Sequence, residues 1–548
     1  MNTKVASLGC ISNQSNVTSI SLEYSNYMLD DNFDMYLDFE AFTDKIVPNL
    51  SKKISQKWYR NSMNLDVYQN EFSFGIAMEN RVQYIISNII KYYFAFKRLS
   101  DNFDSIIIPA NMPEMLSEIC MIVDAEKFYY NNEKSDECDN LRLLLDHLAE
   151  ITPLPVNRFS KYMRYAEKVL FLNKKGKVII FPDWTYNHYS HDNYLYQNSK
   201  NILNGFYFKK PRDIKYLRDN FPNKLQTINI HSEINSLMIP SKDKEKLIEI
   251  ISNQIHKEYL KSIDSLCLSY SIFDELLENY KPKSIVTPTF HHHWHVLLAQ
   301  IARERHIKSY VLLDGYATFY DENYYTKDSN GIDYLFDDYI FTGSLSKELA
   351  DKYFTNVKGS LVVFPSSTKN NINKKCINKK YQAMILLPAP LYENPNALYD
   401  QRFKYVKEVL EILVDLNMKD FAIKIKDSSN ISVNNDMMIL AKIINRYFKS
   451  LNISILQGRL YDHLPLTDIV IGQAATSLIE STIYEIPFYI YEPIYLGMSD
   501  NDINRSIFVK SSYSRTVKEL KRTLKMNDQT LIPRDKLVDG LNMTDILN

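Results

Sequence analysis

The sequence predicts an α/β protein of two doubly wound parallel-sheet domains facing each other across a cleft, with extra helical elements before them. Two observations carry this. From residue 240 onward, apolar runs of strand length alternate with stretches of helical periodicity, the pattern of βαβ units. A polar, Asn/Lys-rich stretch, "SSTKNNINKKCINKKYQ" (366–382), breaks that alternation once and divides it into two runs.

In chain order, "AMENRVQYIISNIIKYYFAFKRLS" (77–100) has the periodicity of a long amphipathic helix. "DSIIIPANMPEMLSEICMIV" reads as strand, Pro-marked turn and helix. Between 125 and 240 the pattern is mixed. "KVIIFPDW" holds a short buried strand, and "KLQTINIHSEI" (224–234) reads as another. Long helical stretches follow from 241 to 280. "KSIVTPTF" is then a strand, "HHHWHVLLAQIARERHI" a helix, "KSYVLLDGY" a strand and "DDYIFTGSLSKELADKYF" strand, turn and helix, with "SLVVFP" one more strand. Beyond the break, "AMILLPAP", "DFAIKIK", "ISILQG", "DIVIGQ" and "PFYIYEP" are strands separated by helical stretches. The expected organisation is an N-terminal domain with insertions over 1–365, a linker over 366–382, a C-terminal domain over 383–510 and a helical tail over 511–548. A basic patch is the other reading of 366–382.

Composition narrows the classes. The chain has 548 residues and a formal net charge of −1, so no overall field draws it to nucleic acid or acidic lipid. The five cysteines are scattered and form no CxxC pair, which argues against a disulfide framework or a thiolate zinc site and favours a reducing compartment. No apolar run reaches the ~18 residues of a membrane span. "SLGC" has the look of a lipoprotein cleavage site, but nine residues before Cys10 are too few for a signal peptide. The setting expected is the cytoplasm, with peripheral attachment at the inner face of a membrane left open.

Chemistry concentrates in a few stretches. In "TDIVIGQAATSLIESTIYEIPFYIYEP" (467–493) a buried strand ends at Gly472 and small residues open a helix containing Thr476, Ser477 and Glu480. Backbone N–H groups at such a helix start favour an anion. Ser477-x-x-Glu480 equally fits a capping box. Lys424 and Lys426 alternate at a strand end, which places both on one face and suits a diphosphate or a departing nucleotide; a solvated strand end is the alternative. His291, His292, His293 and His295 crowd the start of another helix. His291 and His295 have metal-compatible spacing, but no carboxylate or cysteine lies nearby in sequence to complete a shell, so no metal is expected.

The stretch 467–493 resembles the C-terminal signature of GT-B glycosyltransferases of bacterial surface-polysaccharide pathways, capsule and lipopolysaccharide among them, including transferases of sialic acid and Kdo. Asp468, Gly472, Thr476, Glu480 and Pro487 match, while Ala475 stands where a Ser is usual. A Lys-x-His-Pro strand end of that group is matched by Lys424, with Lys426 and Asp427 replacing the His and Pro. Its Gln-His-Gly-like turn is here Leu313-Asp314-Gly315. The resemblance spans roughly 280–495. It implies a nucleotide-sugar donor, possibly CMP-linked, held by Lys424, Lys426, Gly472, Thr476, Ser477 and Glu480, and a glycan or lipid-linked acceptor near His293, Gly315, Gly343 and Ser344. Asp314, His291 and His292 are the expected catalytic residues, Asp314 as general base or nucleophile. No cofactor or metal is expected, because helix dipoles and basic side chains stabilise the departing phosphate. Transfer of a polyol phosphate, nucleotide-sugar epimerisation, and a catalytically silent glycan-binding or scaffold relative within an assembly complex stay open beside transfer of a sugar.

Overall fold

The computed structural model describes residues 3–37, 74–149, 178–180, 230–287, 293–312, 336–342, 359–362, 379–388, 399–426, 431–458, 460–473, 476–496 and 513–527, with isolated positions at 39, 50, 54, 344, 347 and 348. They form three parallel sheets with helices between the strands.

The first sheet comprises β1 (Val5–Leu8), β2 (Val17–Ser21), β3 (Met35–Tyr36), β4 (Ser105–Ile108) and β5 (Phe128–Tyr130), in the order β3-β2-β1-β4-β5. Its helices are α1 (Tyr24–Leu29), α2 (Phe74–Asn102), α3 (Glu114–Asp124) and α4 (Asp136–Ala149). The helical period read over 77–100 is α2, which buries Ile86, Ile89, Ile90, Tyr93 and Phe96.

Two further helices follow, α5 (His231–Asn235) and the 40-residue α6 (Ser241–Tyr280). The tyrosine hydroxyl of Tyr93 donates to Asp243 (2.6 Å), which ties α6 to α2. α6 ends where Lys281 turns left-handed (φ 42°) and returns its N–H to Leu277 O (2.9 Å). The strand expected over 224–234 is helical at 231–235, and 224–229 lie outside the described residues. The buried Ile230, Ile234 and Leu237 have the i, i+4, i+7 spacing of a helix, which outweighs the local alternation.

The second sheet has β6 (Val178–Ile180), β7 (Ser284–Thr287), β8 (Lys308–Leu312), β9 (Asp338–Thr342) and β10 (Gly359–Val362), in the order β10-β9-β8-β7-β6, with α7 (His293–Glu304) between β7 and β8. Residues 1–365 thus contribute two sheets. One continuous apolar cluster joins them, running from Ala6 and Ile106 through α2, α3 and α6 to Ile285, Leu298 and Ile340.

The third sheet has β11 (Tyr381–Leu386), β12 (Asp420–Lys424), β13 (Asn452–Leu456), β14 (Thr467–Gly472), β15 (Phe488–Tyr491) and β16 (Tyr513–Ser514), in the order β13-β12-β11-β14-β15-β16. Its helices are α8 (Tyr399–Asp415), α9 (Ile431–Tyr447), α10 (Leu460–His463), α11 (Thr476–Ile483) and α12 (Val517–Met526). Alternation along the strands divides the core into two faces. Ala383, Ile385, Phe421 and Ile423 pack with Val406, Leu410 and Leu440 of α8 and α9. Met384, Leu386, Ala422 and Val470 pack with Leu464 and with Leu478 of α11. β16 and α12, both past residue 510, complete this sheet.

The first and third sheets touch through α1. The Tyr24 ring lies tilted against Phe403 (6.1 Å between ring centroids), and Met28 and Leu29 join the α8–α9 side of the core. Arg446 of α9 donates to Leu29 O and to Asp31 Oδ1 (2.6 Å). Near the same contact Asp400 of α8 acts on Lys91, which α2 buries almost completely.

Candidate functional site

Ligands of doubly wound sheets bind outside the carboxyl ends of the strands, where the strand order reverses. The first sheet reverses between β1 and β4, and its own side chains fill that place. Ser135 Oγ donates to Gly9 O, just past β1. Asn111 and Ser135 exchange two hydrogen bonds, Asn111 Nδ2 to Ser135 O and Ser135 N to Asn111 Oδ1, both 2.8 Å. The buried Glu137 accepts from Ser21 Oγ and from Leu22 N (2.8 Å). Gly9 has φ +68°, and a Cβ there would lie 3.0 Å from Leu22 Cδ1 and 3.1 Å from Ser135 Oγ. Burial pushes the neighbouring Cys138 thiol up to about 12 and that of Cys10 above its ordinary value, so neither is a ready thiolate. The described strands of the second sheet run in sequence order with no reversal.

The third sheet reverses between β11 and β14. β14 ends at Gly472 and α11 begins at Thr476. A Cβ on Gly472 would lie 3.1 Å from Leu386 Cβ and 3.3 Å from Leu478 Cδ2, so the glycine lets α11 and β11 close tightly on the strand end. Ser477 is the second residue of α11 and half-buried, two positions too far along for the N-cap of a capping box. The first turn of α11 carries no acidic residue. Glu480 lies farther along the helix; its side chain and that of Thr476 are outside the described residues.

β12, on the other side of β11, ends with Lys424. Lys424 follows Ala422 on the face shared with α10 and α11, and Lys426, half-buried, continues that alternation. Lys424 is buried, and its ammonium donates to Ile425 O. The structure therefore brings Lys424, Lys426 and Gly472 to one edge, at the ends of the two strands flanking β11, and the Lys424 ammonium is bonded to its own chain.

The acceptor-side and catalytic positions follow β7, β8 and β9, which are parallel neighbours ending at one edge of the second sheet. His291, His292, Asp314, Gly315 and Gly343 lie outside the described residues, and His293 opens α7 with its side chain outside them. Ser344 is half-buried just past β9. Of the four clustered histidines only His295 has a described side chain, and it is fully buried in α7. No group of metal-ligating side chains occurs among the described residues. Asp337 accepts from Ser309 N (2.7 Å) and Ser309 Oγ (2.8 Å) at the amino end of β9.

Four residues of the third sheet's domain went unnoticed in the sequence. Gln473, next after Gly472, donates to Glu492 (3.2 Å), a carboxylate 2% exposed just past β15. The signal was a charged residue closing the apolar run "PFYIY". Beyond it lies Tyr405, whose phenol burial raises well above its ordinary value, with the Glu492 charge adding to the shift. His463 Nε2 bonds Gln457 O (2.6 Å) at the loop after β13, where Gly458 takes φ +87°.

No family model matches the sequence, and no curated protein does. Among solved structures, the chain is similar to a UDP-GlcNAc 2-epimerase from Methanocaldococcus jannaschii in complex with UDP-GlcNAc and UDP, at 14% identity over 68% of this chain and 97% of that one, with a TM-score of 0.38. A UDP-GlcNAc 2-epimerase from Neisseria meningitidis bound to UDP-GlcNAc matches at 11% identity over 52% and 80%, with a TM-score of 0.33. A glycosyltransferase from Rickettsia africae ESF-5 matches at 12% over 54% and 83%, with a TM-score of 0.29.

Proposed function

We propose that the chain is a GT-B-type glycosyltransferase that moves a sugar from a nucleotide-activated donor to a glycan or lipid-linked acceptor. The observation that carries this reading is the carboxyl edge of the third sheet. There the strand order reverses, a helix start without first-turn acids meets that reversal, and Lys426 stands on the same face. N–H groups and a cation at such a place suit the phosphates of a nucleotide. In this reading Lys424, Lys426, Gly472, Thr476, Ser477 and Glu480 form the donor side, and charge on the departing phosphate is stabilised by the helix start and the lysines without a metal. Asp314, with His291 and His292, takes the acceptor proton or attacks the sugar, and His293, Gly315, Gly343 and Ser344 form the acceptor side.

A second reading, a relative that binds without turnover, is favoured by Lys424, whose ammonium is engaged by Ile425 O rather than left to a phosphate.

The test is calorimetric titration of the full chain with CMP, UDP, GDP and CDP, with and without magnesium. Selective binding of one nucleotide, weakened about tenfold by Lys426→Ala, is expected, a tenfold loss being about 1.4 kcal/mol. Absence of binding by folded protein would overturn the transferase reading. Incubation with the matching nucleotide-sugar and no acceptor separates epimerisation, which yields an isomeric nucleotide-sugar, from transfer.

A further inference from the structure

α12 carries four cations, Lys518, Lys521, Arg522 and Lys525, against one carboxylate, Glu519, in ten residues. The next most basic of the described helices, α2, has four against two spread over 29 residues. The net charge of −1 for the whole chain conceals this concentration.

The fold sorts these residues. α12 packs on β15, β16 and α8 and buries Leu520 and Thr523. Val517, Lys518, Arg522, Lys525 and Met526 are exposed, and Lys521 is half-buried. These positions recur as i, i+1, i+4, i+5, i+8 and i+9, which is one face of a helix. Four of the six are cations and none is acidic. The other two, Val517 and Met526, are apolar and stand one at each end of the helix, Met526 at 69% exposure. An ordinary solvated face intersperses both signs of charge and needs no exposed methionine.

The acids nearby do not cancel the surplus. Glu519 is folded back to accept from Arg515 N (2.8 Å) and Thr516 N (3.1 Å). On α8, Asp400 lies at the far end of the helix, Glu408 accepts from the hydroxyls of Tyr491 and Tyr495, and Glu411 lies 3.9 Å from Lys407. Asp415 pairs with Lys521 (2.8 Å), and Lys521 and Lys525 hold its carboxyl below the ordinary range. With Arg515 included, five cations stand against two carboxylates, Asp415 and Glu519.

We propose that the outward face of α12 is a docking surface for an anionic lipid bilayer, on which the chain lies peripherally. Lys518, Arg522 and Lys525 meet lipid phosphates, while Val517 and Met526 enter the headgroup boundary. A surplus of positive charge alone suits any polyanion. The exposed apolar residues beside it favour a lipid interface. The proposal does not rest on nucleotide binding at the third sheet, so the two can fail separately.

The test is sedimentation of the full chain with vesicles of phosphatidylcholine alone and of equimolar phosphatidylcholine and phosphatidylglycerol. Binding to the anionic vesicles only is expected, lost as salt rises from about 0.1 to about 0.5 M. At about fivefold per basic residue, Lys518→Gln, Arg522→Gln and Lys525→Gln together should weaken it about a hundredfold. These side chains are exposed, so the circular dichroism spectrum and the thermal midpoint should stay native. Met526→Ser should weaken binding severalfold with the charge unchanged. A DNA duplex serves as the polyanion control. Failure to sediment with the anionic vesicles, sedimentation unchanged in the triple variant, or indifference to Met526→Ser together with tighter binding of the duplex would overturn it.

Discussion

A buried ammonium gives the most specific expectation at the scale of residues. Burial lowers the pKa of Lys91 from 10.5 to about 8, and the charge of Asp400 works in the opposite direction. Between those two values the unfolded chain binds the proton more readily than the folded one, so this group makes stability rise with pH across that window. Lys91→Met should remove the rise, and urea denaturation of both proteins at pH 8 and pH 10 checks it. Gly472→Ala is expected to cost about 1–3 kcal/mol, because the added methyl meets Leu386 and Leu478 at 3.1 to 3.3 Å. Its backbone has no positive φ, so the loss should come from crowding alone. The sequence marked Gly472 as a place where a phosphate approaches; the packing gives its open side to two leucines. Such a difference is invisible in one chain, since both uses require only that the side chain be absent.

The elements differ in how far their sequence discloses them. α2 and α6 were readable because long periodic stretches average out local exceptions. The strands of the third sheet were readable as apolar runs, but their order was not, because pairing joins segments far apart in the chain. β16 has two residues and no signature of its own; it is a strand because Tyr491 pairs with Ser514. Its companion α12 is marked by a capping box, in which Thr516 Oγ1 accepts from Glu519 N (3.2 Å) and Glu519 Oε2 accepts from Thr516 N (3.1 Å). Thr516→Ala should cost about 1 kcal/mol and speed hydrogen exchange in residues 517–526 before other helices of that sheet respond. Glu492 was missed for a related reason: a single charged residue after an apolar run looks like a strand's solvated end until its burial is known.

For the whole molecule the expectation concerns coupling. A nucleotide at about a hundred times its Kd adds about 2.7 kcal/mol to the unit it binds. If α1 fastens that unit to the first sheet, the gain should reach both. Saturating nucleotide should then slow exchange in α1 as well as in α9, and Arg446→Ala should confine the protection to the third sheet. The candidate site was legible in part on this scale too. Its donor-side positions fall within about sixty residues of one another in sequence, on strands and a helix of one sheet, where the βαβ rule gathers strand ends. The positions after β7, β8 and β9 belong to another sheet, and no local pattern says how two sheets are set against each other.

The seating of α1 has a consequence for the order in which the protein is made. Arg446 and Leu29 are separated by 417 positions, which at ribosomal speeds of about 5–20 residues per second is roughly 20–80 s of synthesis. For that time Tyr24, Met28 and Leu29 emerge with no α9 to cover them. A message cut short before α9 leaves this greasy turn permanently open, a handle for chaperones and proteases. The first of the described helices is thus among the last to be covered, and its burial reports that the chain has been completed through α9.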